Sequence, residues 1–89
     1  MIPYKEYKIT KKISIRYFNK EVDSYSLKWH WDGEDRKVIP LNKSRWLFQY
    51  DNQLPQLFKR FKVYKIKAGE YHRLIKDSRD SLLVLVIRK

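Results

Sequence analysis

Apolar and polar positions alternate from residue 7 to residue 17: Tyr7, Ile9, Ile13, Ile15 and Tyr17 share one parity, and Lys8, Thr10, Lys12, Ser14 and Arg16 the other. Side chains alternate across a strand with a period of two, so this stretch predicts a half-buried strand with a basic outer face. Lys11 interrupts the apolar row and marks a bulge, or a bend between two shorter strands. Residues 18–24 are polar and read as a loop. Leu27, Trp29 and Trp31 then alternate with Lys28, His30 and Asp32, a second strand that ends near Gly33.

The rest of the chain keeps the two-residue rhythm in shorter pieces. Residues 38–41 predict a brief strand whose Pro40 marks a sheet edge or a strand end. Trp46, Phe48 and Tyr50 alternate with Leu47, Gln49 and Asp51, a strand closed by the turn residues Asp51 and Asn52. Gln49 and Asp51 share a face and read as polar surface or as pocket lining. Residues 57–66 are less regular: Phe58 and Phe61 stand at helical spacing, while Val63, Tyr64 and Ile66 favour a strand. After the turn at Ala68 and Gly69, residues 71–75 form another short strand, and 76–80 a polar loop. The unbroken apolar row Leu82, Leu83, Val84, Leu85, Val86, Ile87 predicts a strand buried on both faces. About seven short strands separated by polar turns predict an all-β fold, a small antiparallel β-barrel or sandwich, with an OB-type barrel as the competing arrangement. A short helix between Pro55 and Phe61 is compatible with either.

Composition narrows this picture. Eighty-nine residues make a single domain, 1–89, with one modest core and no room for separate substrate and cofactor lobes. Hydrophobic residues at 43% and aromatic residues at 16% supply enough core material despite 35% charged residues. The chain has no cysteine, which excludes disulfides and thiolate zinc sites. No stretch approaches the ~18 apolar residues of a membrane span, and the first residues lack the apolar core of a signal peptide, so the expectation is a cytoplasmic protein without a membrane partner. Twenty-one Lys and Arg against ten Asp and Glu give a net charge of +11, which draws phosphate-rich partners.

The only two histidines lie in two compact phrases: Trp29-His30-Trp31-Asp32-Gly33-Glu34-Asp35-Arg36 and Lys67-Ala68-Gly69-Glu70-Tyr71-His72-Arg73. On an extended strand His30 and Asp32 point to one face, where a later histidine can join them. Two imidazoles and one carboxylate make a facial triad that leaves half of an octahedral Fe or Mn, or another divalent metal, open to a ligand. Glu34 and Asp35 are substitute carboxylates, and Arg79 or Arg88 a candidate anchor for an acidic cosubstrate. The plain alternative is that both imidazoles are hydrogen-bonded within an aromatic core, and the acidic residues form surface ion pairs. A third possibility is that His30 and His72 act as general acid and base on a phosphodiester, which needs both within reach of one phosphate. No glycine-rich phosphate loop or serine nucleophile elbow is present.

The order of these phrases resembles the cupin superfamily, the double-stranded β-helix proteins. His30 matches the first histidine of the first cupin motif, and Asp32 stands where a second histidine is usual. Gly69 and His72 match the glycine and histidine of the second motif, with Lys67 in place of its proline. The resemblance covers residues 27–87 and looks closest to small single-domain cupin-like proteins of bacteria and tailed phages. It implies a double-stranded β-helix, with His30, Asp32 and His72 as the metal-ligand positions.

The basic residues Lys8, Lys12 and Arg16, Lys59, Arg60, Lys62, Lys65 and Lys67, and Arg73 and Lys76 merge into one face if the first and last strands pair. Tyr4, Tyr7, Tyr17, Phe61 and Tyr64 among them would stack on unpaired bases. The leading expectation is therefore a small basic cupin-like accessory factor that binds nucleic acid, RNA in particular, since no recognition helix is available for a DNA major groove. The competing expectations are a metal-dependent cupin enzyme, oxygenase-like or phosphodiesterase-like, and a phage-type factor that docks on an acidic host protein in the host cytoplasm.

Overall fold

The computed structural model describes residues 2–89. Among them eight strands form two antiparallel sheets: β1 (Lys5–Lys8), β2 (Ile13–Phe18), β3 (Arg36–Pro40), β4 (Leu47–Tyr50), β5 (Gln56–Leu57), β6 (Tyr64–Ile66), β7 (His72–Ile75) and β8 (Leu82–Arg88). The larger sheet has the order β1-β2-β8-β3-β6 and the smaller one β5-β4-β7. The only helical element among the described residues is one 3₁₀ turn, Ser24–Ser26, started by Asp23, whose carboxylate accepts the Tyr25 N–H. No helix forms between Pro55 and Phe61.

The core lies between the two sheets. Phe18, Val38, Tyr64, Ile66, Leu82, Val84 and Val86 come from the large sheet and Trp46, Phe48 and Phe58 from the small sheet and its flanks. Phe48 sits at its centre, with the rings of Phe58, Tyr64 and Tyr50 at 5.3, 5.5 and 4.7 Å. Trp46 is fully buried, and its indole N–H donates to the Asp80 carbonyl at 2.8 Å. A buried indole N–H needs such a partner, which fixes the loop before β8 to the body of the barrel.

Two strands differ from the alternation read in the sequence. Residues 7–17 form a hairpin, with the turn at the interruption near Lys11, and its inward face is the polar one. Ser14 is fully buried and Phe18 nearly so, while Ile13, Ile15 and Tyr17 lie half-buried on the outside. The last strand decides this. Leu82, Val84 and Val86 of β8 are buried, and antiparallel partners share a face. The register Ser14↔Val86, Arg16↔Val84 and Phe18↔Leu82 therefore carries Ser14 and Arg16 inward. The expectation that β8 is buried on both faces is also corrected, because Leu83 is exposed and Leu85 and Ile87 are half-buried. Residues 38–40 belong to β3, which lies between β8 and β6, and Pro40 is its last residue, so the strand end and not the sheet edge is what the proline marks.

Turning the polar parity of β2 inward buries an arginine, and Glu6 of β1, directly opposite Arg16, compensates it. The Glu6 Oε2 atom accepts from Arg16 Nε at 2.9 Å, Arg88 Nη2 at 2.9 Å and Ser14 Oγ at 3.1 Å. Burial raises the Glu6 pKa, but the hydrogen bonds from Arg16 and Arg88 outweigh it and hold the carboxyl at about 2.

Candidate metal centre and the cavity around it

The segment before β3 is extended rather than a paired strand. Its one bridge joins His30 to His72 of β7: the His30 N–H donates to the His72 carbonyl at 3.1 Å, and the His72 N–H donates back at 3.0 Å. Directly opposed residues of an antiparallel pair present their side chains on the same face, so the two imidazoles meet, with ring centroids 4.1 Å apart. Asp32, two residues on, projects beside them. Its carbonyl accepts the Gly69 N–H at 2.8 Å, and Asp35 accepts the Ala68 N–H at 2.8 Å, which ties this segment to the turn before β7. Gly69 has a φ of 79°, a left-handed conformation that glycine adopts without steric cost. Trp29 and Trp31, of the opposite parity, are exposed, and the strand expected to end near Gly33 makes only the single bridge at His30.

Ligating atoms of His30, Asp32 and His72 all lie within 4.8 Å of one another. His30 Nδ1 lies 3.2 Å from the Lys28 carbonyl, and His72 Nδ1 lies 2.9 Å from the Glu70 carbonyl. A carbonyl only accepts, so each Nδ1 donates to it, and each Nε2 is the ring nitrogen left to hold a metal. His72 Nε2 faces Asp32 Oδ2 at 3.5 Å. Burial lowers the His72 pKa, and the neighbouring His30 lowers it further, against the opposing pull of the Glu70 carbonyl and Asp32. A neutral imidazole lone pair aimed at a carboxylate oxygen places two acceptors face to face without a proton between them. A cation resolves that contact. Ligands about 2.1 Å from an ion stand roughly 3 to 4 Å apart, so the 3.5 Å between His72 Nε2 and Asp32 Oδ2 suits a shared divalent transition metal, with His30 as the third donor.

The triad lies on the wall of a cavity of about 410 Å³ between the sheets. Phe18, Leu27, Phe48, Leu74, Val84 and Val86 give it an apolar lining, and Arg16, Lys28 and Arg36 bring positive charge to it. Arg36 reaches Asp32 Oδ1 at 3.3 Å and Glu34 at 3.8 Å, and its buried Nε has no hydrogen-bond partner among the described residues.

The remaining expected site residues scatter. Glu34 and Asp35 do not join the triad; the first faces Arg36 and the second binds the Ala68 backbone. Arg79 is exposed and paired with Asp77, and Arg88 is taken by Glu6 and Ser14, so neither anchors an acidic cosubstrate.

The ten basic residues do not form one face. Lys8 and Lys12 lie at the β1-β2 edge of the large sheet, and Lys59, Arg60, Lys62, Lys65 and Lys67 cluster around β6 at the opposite edge. Arg73 and Lys76 lie on and just after β7, in the other sheet. Arg73 donates to Gln49 at 2.8 Å and covers the Trp29 ring, and Lys76 donates to the Lys20 and Val22 carbonyls. Arg16 points into the barrel. The first hairpin does pair with the last strand, but that pairing leaves the middle cluster on the far side. Arg16 and Arg36 as cavity residues were not legible in the sequence. The signal for Arg16 was the acidic residue ten positions earlier, on the strand that pairs with β2.

Solved structures that superpose on this chain include several cupins. A cupin domain from Bordetella pertussis superposes with a TM-score of 0.64 at 16% identity, over 97% of this chain and 91% of that one. The chain has the cupin fold. An RmlC-like cupin with a double-stranded β-helix from Methanocaldococcus jannaschii gives 0.70 at 13% identity, over 96% of this chain and 76% of that one. A DMSP lyase from Ruegeria pomeroyi gives 0.78 at 10% identity over 98% of this chain, but the chain spans only 47% of that protein. No family model and no curated protein sequence matches the chain. The resemblance read from the two histidine phrases thus holds at the level of fold.

Proposed function

We propose that this protein is a small metal-dependent cupin that binds one divalent transition-metal ion through His30, Asp32 and His72 and admits a small organic ligand to the adjoining cavity. The observation that supports this reading is the convergence of His30, Asp32 and His72, whose ligating atoms lie within 4.8 Å of one another, with His72 Nε2 at 3.5 Å from Asp32 Oδ2. When bound, the ion supplies Lewis-acid activation of a coordinated ligand. The chain's own groups do the rest. The Lys28 and Glu70 carbonyls orient the two imidazoles, and Arg36 holds Asp32 in place by an ion pair at 3.3 Å. The apolar wall of Phe18, Phe48, Val84 and Val86 keeps water from the ligand. Elemental analysis of protein purified without chelator tests the reading. The expected result is up to one Fe or Mn ion per chain, lost in His72→Ala; metal content equal in wild type and variant overturns it.

A second reading concerns the outer surface. Phe61 is 65% exposed at a φ of 65°, held by its N–H to the Pro40 carbonyl at 2.8 Å, with Arg60 over its ring and Lys59 and Lys62 beside it. An exposed aromatic with a guanidinium over its ring and lysines nearby in the chain suits stacking on an unpaired RNA base. RNA affinity that falls steeply with salt and drops in Phe61→Ala supports this reading, and salt-independent binding refutes it.

A further inference from the structure

The buried charge on the β1-β2 side of the barrel is not balanced. Glu6 is the one carboxylate between two guanidiniums, Arg16 and Arg88, so the cluster carries one surplus positive charge. Arg88 spends its two terminal nitrogens on Ser14 and Glu6. Arg16 gives only its Nε to Glu6, and its planar group lies over the Tyr4 ring at 4.2 Å. Both Arg16 and Tyr4 line the cavity that His30, Asp32 and His72 also line, and the Arg16 side chain is only 15% exposed. A guanidinium held from behind and stacked on a ring has lost its rotamer freedom before any ligand arrives, and its free edge matches a carboxylate bidentately.

We propose that Arg16 is the seat for the carboxylate of a small organic acid whose apolar body fills the cavity. The planar fork of Arg16 matches the two oxygens of a carboxylate, and the surrounding Phe18, Leu27 and Val84 match a hydrocarbon chain. Burying a charge without a counterion is costly, and the ligand supplies that counterion. Glu6 is a positioning residue in this arrangement, since it fixes the guanidinium and does not touch the ligand. The assignment rests on reading the cavity as a small-molecule site, but it does not require the metal.

Calorimetric titration with hexanoate, hexanamide and butyl phosphate tests it on wild-type protein, both stripped of metal and loaded with manganese. Hexanoate is expected to bind about tenfold or more tightly than the amide, the loss typical of a buried charge-assisted pair. Arg16→Gln is expected to abolish this preference and Arg16→Lys to retain part of it, with each variant's fold checked by near-ultraviolet circular dichroism. Equal affinity for acid and amide, binding of neither, or tighter binding of butyl phosphate overturns the assignment. The acid-amide comparison on wild type keeps the test valid if Arg16→Gln fails to fold. Hexanoate preference in protein that takes up no manganese supports the Arg16 seat while refuting the metal reading; manganese uptake without hexanoate preference does the reverse.

Discussion

Glu6→Gln is the substitution whose effect on stability follows most directly from the structure. Glu6 Oε2 gathers three hydrogen bonds, two of them from guanidiniums, on a side chain that is 22% exposed. Its pKa falls from 4.5 in the unfolded chain to about 2. A carboxyl whose pKa is depressed by folding stabilises the protein above the unfolded value, and that contribution is lost as pH falls toward the folded value. The full shift corresponds to about 3 kcal/mol, and partial solvent screening reduces this to roughly 2 kcal/mol. In an 89-residue domain that amounts to a Tm roughly 8 to 16 °C lower for Glu6→Gln at pH 7. Urea denaturation at pH 7, 5, 4, 3 and 2 provides the assay. The two proteins are expected to differ by a constant amount above about pH 5 and to converge between 4.5 and 2, where wild type takes up the proton that the variant cannot. Stability curves that stay parallel down to pH 2 refute the inward placement of the Glu6, Arg16 and Arg88 cluster.

Other positions give sharper or smaller effects. Trp46→Phe removes an indole hydrogen bond and part of a fully buried ring, so it is expected to cost roughly 1 to 3 kcal/mol by chemical denaturation. Phe61→Gly relieves a left-handed backbone at an exposed position and is expected to be neutral or stabilising by up to ~1 kcal/mol in the same assay. A loss above 1 kcal/mol would mean that the ring packs. Burial depresses the His72 pKa, so the metal-free protein is expected to lose stability as pH drops below about 6.5, where the unfolded chain takes up the proton first. His72→Gln is expected to flatten that part of the profile, read by thermal denaturation from pH 7.5 to 5.

How much of this was legible in the sequence depended on which interaction decided each position. The strand around Trp46, Phe48 and Tyr50 was readable because local alternation and burial agree there, whereas the unbroken apolar row of the closing strand showed its position but not its exposed Leu83 face. The triad was readable because His30 and Asp32 are two apart in an extended chain and His72 follows a glycine turn. The inner face of β2 was not. Local pattern favoured Ile13, Ile15 and Tyr17, but register with β8 placed Ser14 and Arg16 inside, and only the pairing with Glu6 makes that tolerable. The basic surface was misread for a related reason: charge along the chain does not report which strands become neighbours, and β6 ends at the opposite edge from β1.

The metal reading is tested most directly by titrating cobalt into chelator-stripped protein and following the visible absorption of the bound ion at pH 7.5. Saturation is expected at one equivalent per chain. Affinity should fall by at least about a hundredfold in His72→Ala, and binding should weaken as protons compete for the imidazoles below about pH 6. No absorption change, or a titration unaltered by His72→Ala, contradicts a metal centre at His30, Asp32 and His72.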